Sequence, residues 1–232
     1  MTDPTMNDAA AAQPITVVEL AEAARSLTAD GQRRILGITG APGAGKSTLA
    51  QQIADALGEA AVLVSLDGFH LSNAELHRLD RHPRKGAADT FDSAGYINLL
   101  RRLRARDEPV VYTAFFDRGL EESIACAVPV PREVPLIVTE GNYLLVDDDA
   151  WGATASLLDE TWYVEPGEET RLQRLIDRHM RFGRSAEQAY ERSHGSDQRN
   201  AELIQSTRSR ADRILRIGPV NSTSAATERE SA

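Results

Sequence analysis

Apolar runs of strand length alternate with helical patterns along most of the chain. The strong runs lie at 35–39, 61–66, 109–112, 134–139 and 160–164, and a weaker one, typical of an edge strand, lies at 213–217. Between them, apolar residues recur every three or four positions at 17–27, 49–57, 96–103 and 172–176. Capping boxes at 16–19 and 185–188 mark two helix starts. This alternation predicts an α/β fold with a mainly parallel, five-stranded sheet and helices on both faces.

The pattern is lost at both ends of the chain. Residues 1–13 are rich in alanine, and residues 219–232 combine Ser, Thr, Ala and Glu. Segments of this composition bury too little apolar surface to offset the entropy of ordering. We therefore expect disordered tails at 1–13 and 219–232 on either side of one domain, residues 14–218.

A glycine-rich segment joins the first strong run to the helical pattern that follows it. It matches the phosphate-loop pattern GxxxxGK[ST] at each fixed position and consists of Gly40, Ala41, Pro42, Gly43, Ala44, Gly45, Lys46, Ser47 and Thr48. The glycines let backbone N–H groups turn inward at a helix N-terminus, and Lys46 adds a positive charge. Ser47 offers a hydroxyl to a Mg²⁺ ion that also takes phosphate oxygens. The alternative is an accidental turn, but the flanking strand and helix favour the binding of a nucleoside triphosphate.

A carboxylate lies at the end of two of the apolar runs, where ligands of parallel α/β sheets bind. Asp67 follows 61–66, which we take as the strand next to the phosphate loop. It could accept a proton from a substrate hydroxyl or help to hold Mg²⁺, or it could cap the next helix. Glu140 follows 134–139, where P-loop proteins carry an acidic residue that bonds magnesium-bound water. A solvent-facing carboxylate is the alternative for Glu140.

Basic residues form two further groups. One is a stripe on the helical pattern 168–181, made of Arg171, Arg174, Arg178 and Arg181. This stripe could clamp a transferring phosphoryl group, or it could be a solvated face paired with Glu168 and Asp177. The other group is a loop with Arg81, Arg84 and Lys85, which could attract an anionic group of a substrate or simply be solvated. His70, Tyr112 and Arg118 are candidates for hydrogen bonds to a polar substrate.

Composition narrows the class of partner. The 232 residues carry 26 Lys and Arg against 35 Asp and Glu, and the net charge of −9 disfavours nucleic acid. Cys126 is the only cysteine, which excludes a disulfide framework, and we expect it to be buried as a small apolar residue. No run is as long as a membrane span and the first residues do not resemble a secretory signal, so we expect a cytoplasmic protein without a membrane partner.

Several of these segments together resemble the P-loop kinases of the uridine kinase, phosphoribulokinase and bacterial pantothenate kinase group. They are the phosphate loop, Leu-Asp-Gly-Phe-His at 66–70, Lys-Gly-Ala-Ala-Asp-Thr-Phe-Asp at 85–92, Glu-Gly-Asn-Tyr-Leu-Leu at 140–145 and the Arg-rich stretch 171–184. The resemblance implies a P-loop NTPase fold in which Asp67 is the general base. It also implies a small helical lid at about 170–195, whose Arg174 and Arg178 reach the phosphates beside Lys46, and places Asn200 near the nucleotide base.

The expected activity is that of an ATP- and Mg²⁺-dependent kinase acting on a hydroxyl of a small polar metabolite, such as a nucleoside, a sugar or a pantothenate-like compound. The uridine-binding and pantothenate-binding patterns of the group are only partly present between residues 112 and 130, so neither substrate is carried over. Two alternatives stay open. One is a nucleoside monophosphate kinase, and the other is a nucleotide-switch or regulatory ATPase without a small-molecule acceptor. We expect a monomer or a homodimer.

Overall fold

A parallel sheet of five strands lies at the centre of the protein, in a computed structural model that describes residues 15–216. In spatial order the strands are β2 (Ala61–Ser65), β5 (Leu136–Glu140), β1 (Arg34–Thr39), β6 (Glu160–Glu165) and β7 (Arg213–Arg216). Every residue of β5 is buried, because it pairs with β1 and β2 on either side. The predicted α/β class and five-stranded parallel sheet are confirmed, whereas the predicted tails at 1–13 and 219–232 lie outside the described residues.

Helices cover both faces of this sheet. In chain order they are α1 (Val17–Ser26), α2 (Lys46–Leu57), α3 (Asn73–Arg78), α4 (Ser93–Ala105), α5 (Glu168–Arg181), α6 (Ala186–His194) and α7 (Ser196–Ser206). The apolar sides of α1 and α2 pack on one face, and that of α4 packs on the other. Both predicted capping boxes are present, at the starts of α1 and α6. Between residues 15 and 216, no helix is both long and apolar enough to cross a membrane.

The apolar run at 109–112 does not enter the sheet, contrary to its predicted place there. It begins β3 (Val110–Asp117), which pairs antiparallel with β4 (Glu122–Pro131) in a separate hairpin. The fifth place in the sheet belongs to β7, which pairs with β6. A short apolar run has the same pattern in either kind of sheet. Sequence reasoning missed β4 because Pro129 and Pro131 argue against a strand, although the outer edges of a hairpin tolerate proline.

Cys126 is exposed, so the prediction that it is buried is wrong. It lies in an irregular part of β4, where the register of the hairpin shifts, and its φ is +56°. Ala125 and Ala127 on either side of it are exposed as well. Among the described residues, no element covers this stretch of the hairpin, and for this reason an apolar composition does not lead to burial.

The carboxyl ends of three adjacent strands bring the candidate site together. Glu140, the last residue of β5, is in register with Ile38 of β1 and with Ser65 of β2. The prediction that the strand before Asp67 is the neighbour of the phosphate-loop strand is wrong, because β5 lies between β1 and β2. Glu140 therefore stands between the phosphate loop and the turn that carries Asp67.

Candidate active site

The phosphate loop folds tightly over the first turn of α2. A Cβ atom at Gly43, where φ is +84°, would lie 2.5 Å from the carbonyl oxygen of Arg171. One at Gly40 would lie 2.7 Å from the carbonyl oxygen of Val164. Only glycine permits such backbone contacts in a left-handed conformation. Because α2 begins at Lys46, its unpaired N–H groups open onto the loop and make a cradle that suits an anion.

Lys46 and Glu140 are a buried pair of opposite charges beside this cradle. Burial lowers the pKa of Lys46 to about 8, although Glu140 and Asp67 counteract part of this shift. Burial and the charge of Asp67 raise the pKa of Glu140, although Lys46 opposes that change. The net shifts indicate that both groups lose more by leaving water than they gain from each other.

Ser47 and Glu140 place two oxygen atoms at the mouth of the loop. Ser47 Oγ donates a hydrogen bond to Glu140 Oε2 at 3.1 Å, and Ser65 Oγ donates to the other carboxylate oxygen. Hydroxyl and carboxylate oxygens are the donors that Mg²⁺ prefers in proteins. Of the predicted metal-binding residues, Ser47 and Glu140 thus lie together and their chemistry fits the ion. Because Glu140 is buried here, the alternative of a solvent-facing carboxylate is wrong.

Asp67 lies in a short 3-10 turn, Leu66–Phe69, directly after β2. Its backbone N–H donates to Ser65 Oγ at 3.2 Å, so the serine and not the aspartate caps this turn. The Asp67 carboxylate instead contacts a cation from the hairpin, because Arg118 Nη2 donates to Asp67 Oδ2 at 2.6 Å. The turn thereby presents a carboxylate to the space in front of the phosphate loop.

The cations around Asp67 keep it ionised. Burial alone would raise the pKa of Asp67, but the positive charges of His70, Arg118 and Lys46 together lower it below its ordinary value. His70 Nδ1 lies 2.9 Å from the carbonyl oxygen of Asp67, and burial lowers the pKa of this imidazole. Near neutral pH this favours the neutral imidazole, so Arg118 and Lys46 supply the positive charge that keeps the pKa of Asp67 low. Asp67 is a carboxylate that can accept a proton.

A cavity of about 720 Å³ opens in front of the loop and receives most of the predicted site residues. Those that line it are Pro42, Lys46, Ser47, Asp67, His70, Lys85, Arg118, Glu140, Arg178 and Asn200. Tyr112 does not line it. This residue lies on the β3–β4 hairpin and is 55% exposed. The structure therefore does not bring Tyr112 to the cavity with the other predicted substrate contacts, His70, Lys85 and Arg118.

The arginines of α5 do not form the uniform stripe that their spacing predicts. Arg171 is buried, pairs with Glu168 and donates to a carbonyl oxygen of the phosphate loop at 3.0 Å. Arg174 Nη1 lies 3.3 Å from another carbonyl oxygen of the loop, while Arg178 lines the cavity. Arg181 is exposed. Arg171 thus braces the loop, Arg174 lies against the loop backbone, and Arg178 is the arginine of this helix that lines the cavity.

Sequence reasoning missed a group of polar residues that line the side of the cavity formed by α5, α6 and α7. Asp197 is only 6% exposed, and one of its carboxylate oxygens lies 2.7 Å from His179 Nε2. Arg192 from α6 and Asn142 from the turn after β5 line the same cavity. These residues come from separate elements, so no spacing along the chain signals that they meet.

Three known proteins show what this chain is similar to in sequence and structure. A Schizosaccharomyces pombe protein provisionally named a uridine kinase is 29% identical over 208 residues, which cover 85% of this chain and 88% of that protein. Uncharacterized protein YggC of Escherichia coli is 34% identical over 179 residues, which cover 72% and 73%. A crystal structure from Silicibacter sp. TM1040, provisionally described as a fructose transport system kinase, has 34% identity and a TM-score of 0.78, with coverage of 86% and 98%.

The family follows from a match over most of the chain. The model of the phosphoribulokinase / uridine kinase family matches residues 35–224, and the chain therefore belongs to this family. The protein is a P-loop kinase for a small metabolite, and membership of the family implies the use of ATP. The resemblance noted from the phosphate loop and the strand-end motifs is confirmed.

Replacing Glu140 with Gln is expected to stabilise the nucleotide-free protein. The folded-state pKa of Glu140 is raised, so its contribution to stability is lost as pH rises above the ordinary value of 4.5. Gln keeps hydrogen bonds with Ser47 and Ser65 without a buried charge. We expect a gain of about 1 kcal/mol at neutral pH, or about 2–4 °C in Tm for a chain of this size, measured by calorimetry.

Two further measurements make this prediction specific. The gain should shrink below pH 4.5, where Glu140 is protonated in both states. The exposed residue Glu59 provides the control, because Glu59→Gln removes the same charge from the surface and should leave Tm unchanged. A lower Tm of Glu140→Gln at neutral pH would mean that the carboxylate stabilises the fold through Lys46.

Proposed function

We propose that the protein is an ATP- and Mg²⁺-dependent kinase that transfers the γ-phosphoryl group to a hydroxyl of a small polar metabolite, such as a nucleoside, a sugar or a pantothenate-like compound. The observation that carries this proposal is the position of Asp67, an ionised carboxylate that faces the same cavity as the phosphate-loop Lys46. A base opposite a phosphate cradle is what transfer to a hydroxyl requires.

Asp67 is the general base in this mechanism. The acceptor hydroxyl oxygen attacks the γ-phosphorus, the bond from that phosphorus to the leaving oxygen of ADP breaks, and the hydroxyl proton passes to Asp67. Arg118 holds the carboxylate at 2.6 Å and keeps it ionised until the acceptor arrives. Positioning of this kind, more than covalent chemistry, accelerates phosphoryl transfer.

Cations of the loop and of α5 bind the phosphate groups. Lys46 lies inside the loop, Arg174 contacts the loop backbone and Arg178 lines the cavity. Their charges oppose the negative charge that spreads over the equatorial oxygens during transfer. Ser47 and Glu140 would hold Mg²⁺, which neutralises phosphate charge when it is bound.

The acceptor binds in the part of the cavity bounded by the turn after β2 and by the hairpin. His70, Lys85 and Arg118 line this part and offer hydrogen bonds to a polar compound. The ring of Phe116 lies against His70, with their centroids 4.8 Å apart, and gives the pocket one apolar wall. Phe91 lines the cavity too, with its ring centroid 4.0 Å from that of His70. Polar groups beside these aromatic rings suit a compact, hydroxyl-rich molecule.

A coupled ADP-release screen tests the proposal. The panel comprises nucleosides, sugars, sugar phosphates, pantothenate and nucleoside monophosphates, each with ATP and Mg²⁺, and mass spectrometry identifies the product. We expect at least one alcohol to stimulate ADP release and to gain one phosphoryl group. Stimulation by nucleoside monophosphates alone, with diphosphate products, would replace the proposal with a nucleoside monophosphate kinase. ATP loss without any phosphorylated compound would favour a regulatory ATPase.

A further inference from the structure

The basic loop noted in the sequence separates into two parts in the structure. Arg81 and Arg84 both form salt bridges with Asp89 and do not line the cavity. Lys85, the next residue, lines the cavity and forms no salt bridge with any residue between 15 and 216. Any attraction of this loop for an anion in the cavity therefore rests on Lys85.

Neutral groups hold Lys85 in place, and none of the carboxylates near it forms a salt bridge with it within residues 15–216. Its Nζ donates to Asn73 Oδ1 at 2.8 Å and to the carbonyl oxygen of Glu121 at 2.6 Å. An ammonium group has three protons, so one of them remains for a ligand. Partial burial lowers the pKa of Lys85, although the charges of Glu121, Glu122 and Asp67 oppose this shift.

Arg192 lies beside Lys85 and is held in the same way. Its Nη1 donates to the carbonyl oxygen of Pro83 at 3.0 Å, and its Nη2 donates to that of Lys85 at 2.7 Å. Its Nε is buried without a hydrogen-bond partner in the described part of the chain. A buried guanidinium nitrogen without an acceptor costs free energy, which an anionic ligand would recover.

The nearby charges leave this end of the cavity positive. Arg184, which follows α5, lines the same region and forms no salt bridge within residues 15–216. Asp197 engages His179 at 2.7 Å. The carboxylates of Glu121 and Glu122 offset part of the charge of Lys85; Glu121 is exposed, and Glu122 accepts a hydrogen bond from the backbone N–H of Asn73 at 3.0 Å. Lys85, Arg184 and Arg192 therefore outnumber these two carboxylates, since Asp67, the third acidic group that acts on Lys85, pairs with Arg118.

The small number of lysines in the chain gives an independent indication that Lys85 contacts a ligand. The sequence contains two lysines, Lys46 and Lys85, while its other basic residues are arginines. Both lysines line the cavity. Lysine acts as a compact charge that adapts to a ligand, whereas arginine favours fixed planar pairs. The only lysine besides that of the phosphate loop thus lines the ligand space as well.

We propose that Lys85, Arg184 and Arg192 form an oxyanion subsite, so that the acceptor carries a phosphate or carboxylate group in addition to the hydroxyl that is phosphorylated. The second half of this inference rests on the proposed kinase function. Lys85 Nζ lies 5.0 Å from the centroid of the Phe116 ring, and Arg118 Cζ lies 5.5 Å from the same centroid. Because Arg118 holds Asp67, one small molecule can reach both the subsite and the base.

The presence of only two lysines allows a direct test on the full chain. The phosphate loop is first occupied with Mg²⁺ and a non-hydrolysable ATP analogue. The acetylation rate of Lys85 by an amine-reactive ester is then followed by mass spectrometry. The probes are ribose, ribose 5-phosphate, ribonate and inorganic phosphate. We expect the three anions, and not ribose, to slow acetylation of Lys85 by about tenfold, the effect of one charged hydrogen bond.

Two variants separate the subsite from general charge effects. Arg192→Gln should abolish the protection of Lys85 by anions, because it removes a neighbouring charge. Arg84→Gln also removes one positive charge, but from a residue of the basic loop that does not line the cavity. The protection of Lys85 by anions should then be retained. Equal protection by ribose and by its anionic forms, or no protection by any anion, would overturn the subsite.

Turnover measurements distinguish this inference from the proposed function. With an anionic acceptor, Lys85→Gln should raise the acceptor KM by about tenfold and leave the KM for ATP unchanged. If no compound in the panel is phosphorylated but the anions still protect Lys85, the kinase proposal fails and the subsite stands. If neutral acceptors alone are phosphorylated, with no effect of Lys85→Gln, the subsite is overturned and the kinase proposal stands.

Discussion

Replacing Asp67 with Asn is expected to lower kcat by about 10²- to 10⁴-fold, because this is the usual contribution of a general base. The amide has nearly the same shape as the carboxylate, and its oxygen can still accept the hydrogen bond from Arg118. It cannot take a proton from the acceptor hydroxyl. ATP affinity, measured by titration calorimetry, should stay close to that of the unmodified protein, because Asp67 lies in the turn after β2 and not in the phosphate loop.

A charge-matched control and a pH profile make the test of Asp67 decisive. Asp92 caps α4 and does not line the cavity, and because Asn is an equally good cap, Asp92→Asn should have normal turnover. The pKa of Asp67 is lowered, so the base is lost only when pH falls below its ordinary value of 3.8. The acid limb of kcat/KM due to this group should lie below that pH. Near-normal turnover of Asp67→Asn would remove the general-base assignment.

The parts of the site that sequence predicted correctly depend on consecutive residues. The phosphate loop needs glycines, a lysine and a serine at fixed offsets between a strand and a helix, and all of these are local features. Asp67 and Glu140 follow apolar runs, and parallel strands place their carboxyl ends on one edge of the sheet. Local pattern and this single rule were sufficient to bring Asp67, Glu140 and Lys46 to one cavity.

The parts that sequence could not supply depend on how separate elements pack. Nothing in the run at 134–139 indicates that β5 lies between β1 and β2. The run at 109–112 has strand character in either sheet, and the pattern alone could not place it in the hairpin instead of the central sheet. Arg81, Arg84 and Lys85 are similar along the chain, and only the salt bridges with Asp89 distinguish the first two from the third.

Replacing Lys46 with Met is expected to lower turnover by about 10²- to 10³-fold, the usual cost of losing one preorganised charge at a transferring group. Met keeps the aliphatic volume of this buried side chain, so the loop retains its packing while the charge is lost. ATP binding should weaken as well, because the proposed mechanism places Lys46 against the phosphates both before and during transfer. Titration calorimetry and the ADP-release assay measure the two effects, with the exposed substitution Arg25→Met as the control that removes a charge outside the cavity.

The lowered pKa of Lys46 gives this prediction a second signature. With a pKa of about 8, the nucleotide-free protein loses the loop charge as pH rises through that value. Because kcat/KM for ATP reports on free enzyme, it should fall above pH 8 in the unmodified protein and not in Lys46→Met. In the ATP complex the phosphates favour the charged amine, so the corresponding limb of kcat should move to higher pH. Full activity of Lys46→Met would contradict the phosphate-loop assignment itself. A kcat/KM for ATP that does not change with pH in the unmodified protein would contradict only the lowered pKa of the Lys46 amine.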